Sequence, residues 1–171
     1  MKSGILQPID LIARSLTPFI LTAFLIVISA IPTRIPEFAY IAPVLPLMAV
    51  YHWSIYRPDL LPAWAVFVLG ILQDALVGTP FGVSSLVFLA VHLVVLSQQV
   101  FFTGKSFAVV WIGFSMVSGA AFIMTWVLVS IFFGQSTGLL GVLFQYLVTL
   151  GAFPILTWLL MIWQQKILPQ E

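Results

Sequence analysis

The chain has 171 residues, of which 62% are hydrophobic and only 6% charged, with a mean hydropathy of +1.19. Soluble domains hold about 45–50% apolar residues, so this composition excludes an ordinary water-exposed fold and points to one integral membrane domain over residues 1–171. The net charge of +1 comes from scattered single residues, which leaves no basic surface for nucleic acid, and the absence of cysteine excludes disulfides and thiolate chemistry.

Six membrane-spanning helices are predicted, at about 14–31, 39–56, 60–77, 83–102, 107–133 and 139–164. Arg14 interrupts the apolar start and no small-residue cleavage pattern follows, so the first span reads as an uncleaved helix, with Thr17-Pro18 in its opening turn. Pro43 and Pro46 should start or kink the second span. The fifth is longer than a hydrocarbon core of about 30 Å requires and should tilt or bend. Short connections make successive helices antiparallel neighbours. With the N-terminus cytoplasmic, Lys2, Arg14, Arg57, Lys105 and Lys166 lie inside and only Arg34 outside, a strong positive-inside bias. The even number of spans then places both termini in the cytoplasm. Tyr51, Trp53, Tyr56, Trp64, Trp111 and Trp163 are expected to form an aromatic belt at the inner interface, with His52 beside them.

With so few charges in the chain, each one inside a span requires a reason. At the inner turn between the second and third spans, Pro58 should push Arg57 out of helical geometry, while Asp59 pairs with Arg57 or caps the next helix near Pro62. Asp74 lies about one turn from the outer end of the third span. A carboxylate at mid-bilayer costs about 2.5–3.5 kcal/mol on insertion scales. No second acid lies at similar depth to pass a proton on. The preferred reading of Asp74 is therefore a structural clasp, accepting hydrogen bonds from backbone N–H groups at the start of the fourth helix across the turn Gly78-Thr79-Pro80-Phe81-Gly82.

His92 is predicted near the middle of the fourth span. It lies about 10 Å in depth from Asp74, at 1.5 Å per residue, and should bond a neighbouring hydroxyl, Gln145 or Tyr146 instead. Neither histidine stands in a metal-ligand spacing, so no metal and no cofactor is expected. On the fifth span, Ser115-x-x-x-Gly119 permits close helix approach, either within the bundle or to another protein.

Three motifs carry a resemblance. Tyr56-Arg57-Pro58-Asp59, then Gly70-Ile71-Leu72-Gln73-Asp74, then Gly78-x-Pro80-Phe81-Gly82 resemble the central signature of the bacterial rod shape-determining MreD family over about residues 44–102. That family has a basic-Pro turn, an apolar helix ending in Gly-Leu-x-x-Asp, and a Gly-x-Pro-Leu-Gly turn; here Ile71 and Phe81 replace the commoner leucines. The resemblance implies a non-enzymatic component of the cell-wall elongation complex in the bacterial inner membrane. Its implied partners are MreC, MreB, RodA and its class B transpeptidase, besides membrane lipid. It also implies a fold similar to the substrate-binding subunits of energy-coupling-factor transporters. The residues singled out for structure or interaction are Arg57, Pro58, Asp59, Gly70, Asp74, Gly78, Pro80, Gly82 and His92.

A vitamin-type carrier subunit is the alternative. It would need a polar, aromatic-lined pocket open to the outside and an Ala-x-x-x-Ala motif in the first helix, where Ala23 and Ala30 have the wrong spacing. A membrane hydrolase would need a nucleophile with a base or a metal set, and the sequence offers neither.

Overall fold

The computed structural model describes residues 6–31, 42–134 and 138–167, and those residues are helical throughout apart from short turns. The helices are α1 (Leu6–Ala30), α2 (Leu45–Tyr56), α3 (Ala63–Val77), α4 (Val83–Ser97), the one-turn α5 (Gln99–Phe102), α6 (Phe107–Phe133) and α7 (Leu139–Ile167). A 3₁₀ turn, Pro58–Leu60, joins α2 to α3. Lys2, Arg34 and the expected beginning of the second span at Ala39 lie outside the described residues, as does the side chain of Arg14.

Most boundaries follow from local chemistry. Pro46 sits in the first turn of α2, where its missing N–H costs nothing, so the prolines start this helix and do not kink it. Gly78 ends α3 with φ +80, and Gly82 opens α4 with φ +97. The left-handed backbone at both positions favours glycine because it has no Cβ to clash. The predicted fourth span divides at Gln98 into α4 and α5, and the third starts at Ala63, after the 3₁₀ turn. The predicted fifth span and α6 coincide.

α2 and α4 form the centre. α1 and α3 pack on one side of them and α6 and α7 on the other. In α3 the buried positions Val66, Leu69, Gly70, Gln73 and Asp74 recur every three to four residues. The opposite face, with Trp64, Phe67, Val68 and Leu76, is exposed yet apolar. α6 and α7 likewise expose Ile112, Met116, Ile123, Leu140, Leu147 and Ile155. Helices apolar on every side suit a bilayer, not water. α6 and α7 are each long and apolar enough to cross one, by length and composition.

The lower half of the bundle, away from the α3–α4 turn, corrects the predicted aromatic belt. Tyr51 and Trp53 are fully buried, and so is His52. The Tyr51 hydroxyl donates to the Val110 carbonyl at 2.9 Å, while its ring meets Phe102, Phe114 and Phe153 edge-on. These residues belong to α2, which is enclosed by the other helices, so their amphipathic rings serve as core. Trp64, Trp111 and Trp163 remain exposed. Neither His52 ring nitrogen meets a hydrogen-bond partner, although the Gln164 side chain approaches it.

Candidate functional site: a carboxylate clasp in the wall of a cavity

At the upper end of the bundle, Asp74 is 1% exposed and surrounded by donors. The Thr79 hydroxyl donates to Oδ1 at 2.5 Å, the Gly82 N–H to Oδ2 at 2.8 Å, and the Ser84 N–H reaches both oxygens at 3.1 and 3.2 Å. Gly82 and Ser84 belong to the first turn of α4, whose leading N–H groups have no partner inside the helix. One carboxylate at the end of α3 thus ties down both the turn and the following helix. Pro80 takes part through its carbonyl, which accepts the Val83 N–H at 3.2 Å.

The clasp requires α3 and α4 to run close together, and Gly70 permits it. A Cβ at Gly70 would stand 2.2 Å from the Ser85 Cα and 2.5 Å from its nitrogen. The Ser85 hydroxyl crosses the same contact, donating to the Phe67 carbonyl at 3.0 Å. Gly70, Asp74, Gly78, Pro80 and Gly82 are therefore brought together in one structural unit.

The other singled-out residues lie elsewhere. At the lower end, Arg57 adopts φ −146 and ψ 65 before Pro58, so the helix stops there. Arg57 Nε lies 3.5 Å from Asp59 Oδ1, with the side chains 32% and 61% exposed. Asp59 does not cap α3: Pro62 holds the N-cap position and no side chain bonds there, because the 3₁₀ turn directs Asp59 back toward Arg57. His92 meets the hydroxyl of Ser54 on α2, Nδ1 to Oγ 2.7 Å. Gln145 and Tyr146, the other partners weighed for it, donate instead to the carbonyls of Ala42 and Ser115 at 3.1 and 2.8 Å. The Ser115/Gly119 pair receives Tyr146, whose hydroxyl would lie 3.5 Å from a Cβ at Gly119, so this small-residue stripe packs α7 within the bundle.

Beside the clasp is a cavity of about 550 Å³, within the size range of small-ligand and peptide side-chain pockets. The start of α2 lies against it. Twelve residues extend only about 18 Å at 1.5 Å per residue, so the central helix fills the lower half of the bundle and ends beneath the upper half. Val44 and Leu47, at the start of α2, line the cavity together with residues of α3, α4, α6 and α7. Thr79 and Ser84, two of the Asp74 donors, also line it, so the clasp shapes one wall. Among the described residues, no charged side chain and no histidine lines it.

Sequence reasoning missed Gln73, which is 9% exposed, lines the cavity and keeps its Oε1 buried without a partner. The signal was present, because a carboxamide in an apolar helix requires the same explanation as the neighbouring carboxylate.

An all-helical bundle with apolar outer faces, polar groups turned inward and short connections is the architecture of a membrane protein. The chain belongs to the family of rod shape-determining protein MreD, whose family model matches residues 10–168. Its function accordingly lies in the determination of rod shape. No curated protein and no solved structure matches the chain.

Proposed function

We propose that this protein is a non-enzymatic, multi-pass scaffold of the bacterial inner membrane, holding the cell-wall elongation machinery together through its helix faces, short turns and upper cavity. The family match carries the reading, because it covers the chain almost from end to end. In this reading α1, α2, α3, α4 with α5, α6 and α7 are the six spans of a single domain, and both termini are cytoplasmic. Arg57, Lys105 and Lys166 then fall at the cytoplasmic end, in agreement with the positive-inside bias. The clasp and the cavity open toward the periplasm. MreC, a bitopic protein with its mass in the periplasm, is the partner placed to reach the cavity; MreB, RodA and the class B transpeptidase complete the assembly by resemblance.

Depletion from a rod-shaped host tests the proposal. Cells should round up and recover when the protein is resupplied, and MreC should co-purify with it from membranes. Cells that keep their rod form on depletion would sink the scaffold.

The cavity itself favours a second reading. Its volume and the aromatic rings of Phe88, Phe122 and Trp126 would suit the small-molecule site of a carrier subunit with a fold similar to that of the energy-coupling-factor family. Depletion that abolished vitamin uptake while leaving shape intact would select this alternative.

A further inference from the structure

We infer that the outer face of the α3–α4 hairpin is a contact surface for phospholipids with short acyl chains, against which the bilayer is drawn thinner than along α6 and α7. It rests on the reading of these helices as membrane spans and adds the class of lipid that each side takes.

The helices of the two sides differ in length. α3 and α4 have 15 residues each, or about 22 Å at 1.5 Å per residue. α6 and α7 have 27 and 29 residues, or about 40 Å each. A hydrocarbon core is about 30 Å thick, so the hairpin is too short for it by about a quarter while α6 and α7 exceed it.

Neither end of the hairpin makes up the difference. At the top α3 stops at Gly78, and the turn above it carries the Thr79 hydroxyl and the Gly82 N–H, both bound to Asp74. At the bottom α3 is preceded by Pro62 and by the 3₁₀ turn with Asp59, whose side chain is 61% exposed. α4 ends at Ser97 and Gln98, both exposed. α5 does not prolong it downward. Gln99 reaches the Ile55 carbonyl, whereas Phe102 meets the Tyr51 ring, one turn higher on α2. α6, by contrast, keeps apolar side chains exposed at both ends, from Phe107 and Trp111 to Ile131 and Phe133. A span that is too long relieves the mismatch by tilting; one that is too short has to thin the bilayer around it.

The outward side chains select lipid over a protein partner. Trp64, Phe67 and Val68 of α3 and Leu86, Leu93 and Val94 of α4 are exposed. Bulky apolar groups of this kind lie against acyl chains, whereas membrane helices dock through small residues and interhelical hydrogen bonds. In the hairpin those means of approach are used between its own two helices, where Gly70 meets Ser85 and the Ser85 hydroxyl donates to the Phe67 carbonyl at 3.0 Å.

The chain contains no cysteine, so single substitutions place one fluorophore at a time. Phe67→Cys on α3 and Leu93→Cys on α4 report the hairpin, and Ile123→Cys on α6 and Ile155→Cys on α7 the other side; all four positions are exposed. Two positions per side keep the comparison if one variant fails to fold. The labelled full chain is reconstituted in vesicles of brominated dioleoyl phosphatidylcholine mixed with unbrominated lipid bearing myristoleoyl, oleoyl or erucoyl chains. Relief of quenching gives the relative affinity of each competitor at that position. Myristoleoyl lipid should outcompete erucoyl lipid roughly threefold or more at the hairpin positions, and should not do so on α6 and α7. Equal affinities at the hairpin positions overturn the inference and leave the spans in place. The same short-chain order at all four positions also overturns it, since the preference then belongs to the whole protein. Quenching on α6 and α7 but not on the hairpin shows that face covered by a second copy, which overturns it as well. Quenching at none of the four removes the membrane reading itself.

Discussion

Substitution of Asp74 measures the clasp directly, because Asn and Ala are expected to differ. Asn keeps one acceptor oxygen. Turned so that this oxygen takes the Oδ2 position, it still receives the Gly82 N–H at 2.8 Å and the Ser84 N–H at 3.2 Å. Its NH₂ then faces the Thr79 hydroxyl, which can rotate to accept. Each donor retains a partner, but the Ser84 N–H loses its contact at the Oδ1 position, where it now faces the NH₂, and the assistance of the charge is lost. That loss is offset in part because a neutral amide is cheaper to bury, so Asp74→Asn should cost about 1 kcal/mol. Ala strands the Gly82 and Ser84 N–H groups at about 1–3 kcal/mol each when unsatisfied, for a total near 3–4 kcal/mol after the buried carboxylate's own desolvation is credited.

Reversible unfolding in mixed micelles gives both values on one scale, and rod-shape complementation gives the functional counterpart. Asn as damaging to stability as Ala would refute the clasp as a set of hydrogen bonds and make the charge itself the essential feature. A variant with Asn that folds like the parent but leaves cells round would favour a charge-dependent task, such as the relay set aside on sequence grounds.

Two further outcomes follow from the same geometry. Gly70→Ala should destabilise by about 2–3 kcal/mol or more, because overpacked Cβ atoms must push helices apart, whereas Gly119→Ala, which meets the Tyr146 ring and hydroxyl no closer than 3.5 Å, should stay within about 0.5 kcal/mol; equal melting temperatures in detergent would contradict the close α3–α4 crossing. Arg57→Ala should change stability by less than about 0.5 kcal/mol, since the pair with Asp59 is exposed and surface ion pairs contribute little; a loss of MreC, MreB or RodA from the purified assembly without loss of stability would mark the turn as a docking point.

What the sequence revealed of this molecule depended on whether a residue's surroundings were close to it in the chain. The Asp74 contacts run only five to ten positions ahead, to Thr79, Gly82 and Ser84, so the turn chemistry was enough to anticipate them. The α3 and α6 patterns were legible for the same reason. Tyr51, His52 and Trp53 were misread because α2 is enclosed by helices distant in the chain, Tyr51 by Phe102, Phe114 and Phe153 and His52 near Gln164, about 50 to 110 positions away, and no local pattern separates an enclosed apolar helix from one at an interface. The Ser54 partner of His92 was undetermined for the same reason, being one hydroxyl among several across the bundle.

The length of α2 links the two features at the upper end. A central helix spanning the full thickness would fill the space above Leu47 and leave no cavity for an occupant. Above the start of α2, the described contacts hold α3 and α4 together at their ends. Asp74 supplies that hold for α3 and α4, and Gly70 lets the two helices touch below it. The cavity wall is therefore only as well defined as the clasp. Gln73 immediately precedes Asp74 on the same turn of α3, so loosening the clasp moves this cavity-lining carboxamide with it. On the proposed scaffold reading, Asp74→Ala should consequently reduce the MreC that co-purifies from membranes, even though the Asp74 side chain does not line the cavity; parental recovery of MreC would separate the clasp from partner binding.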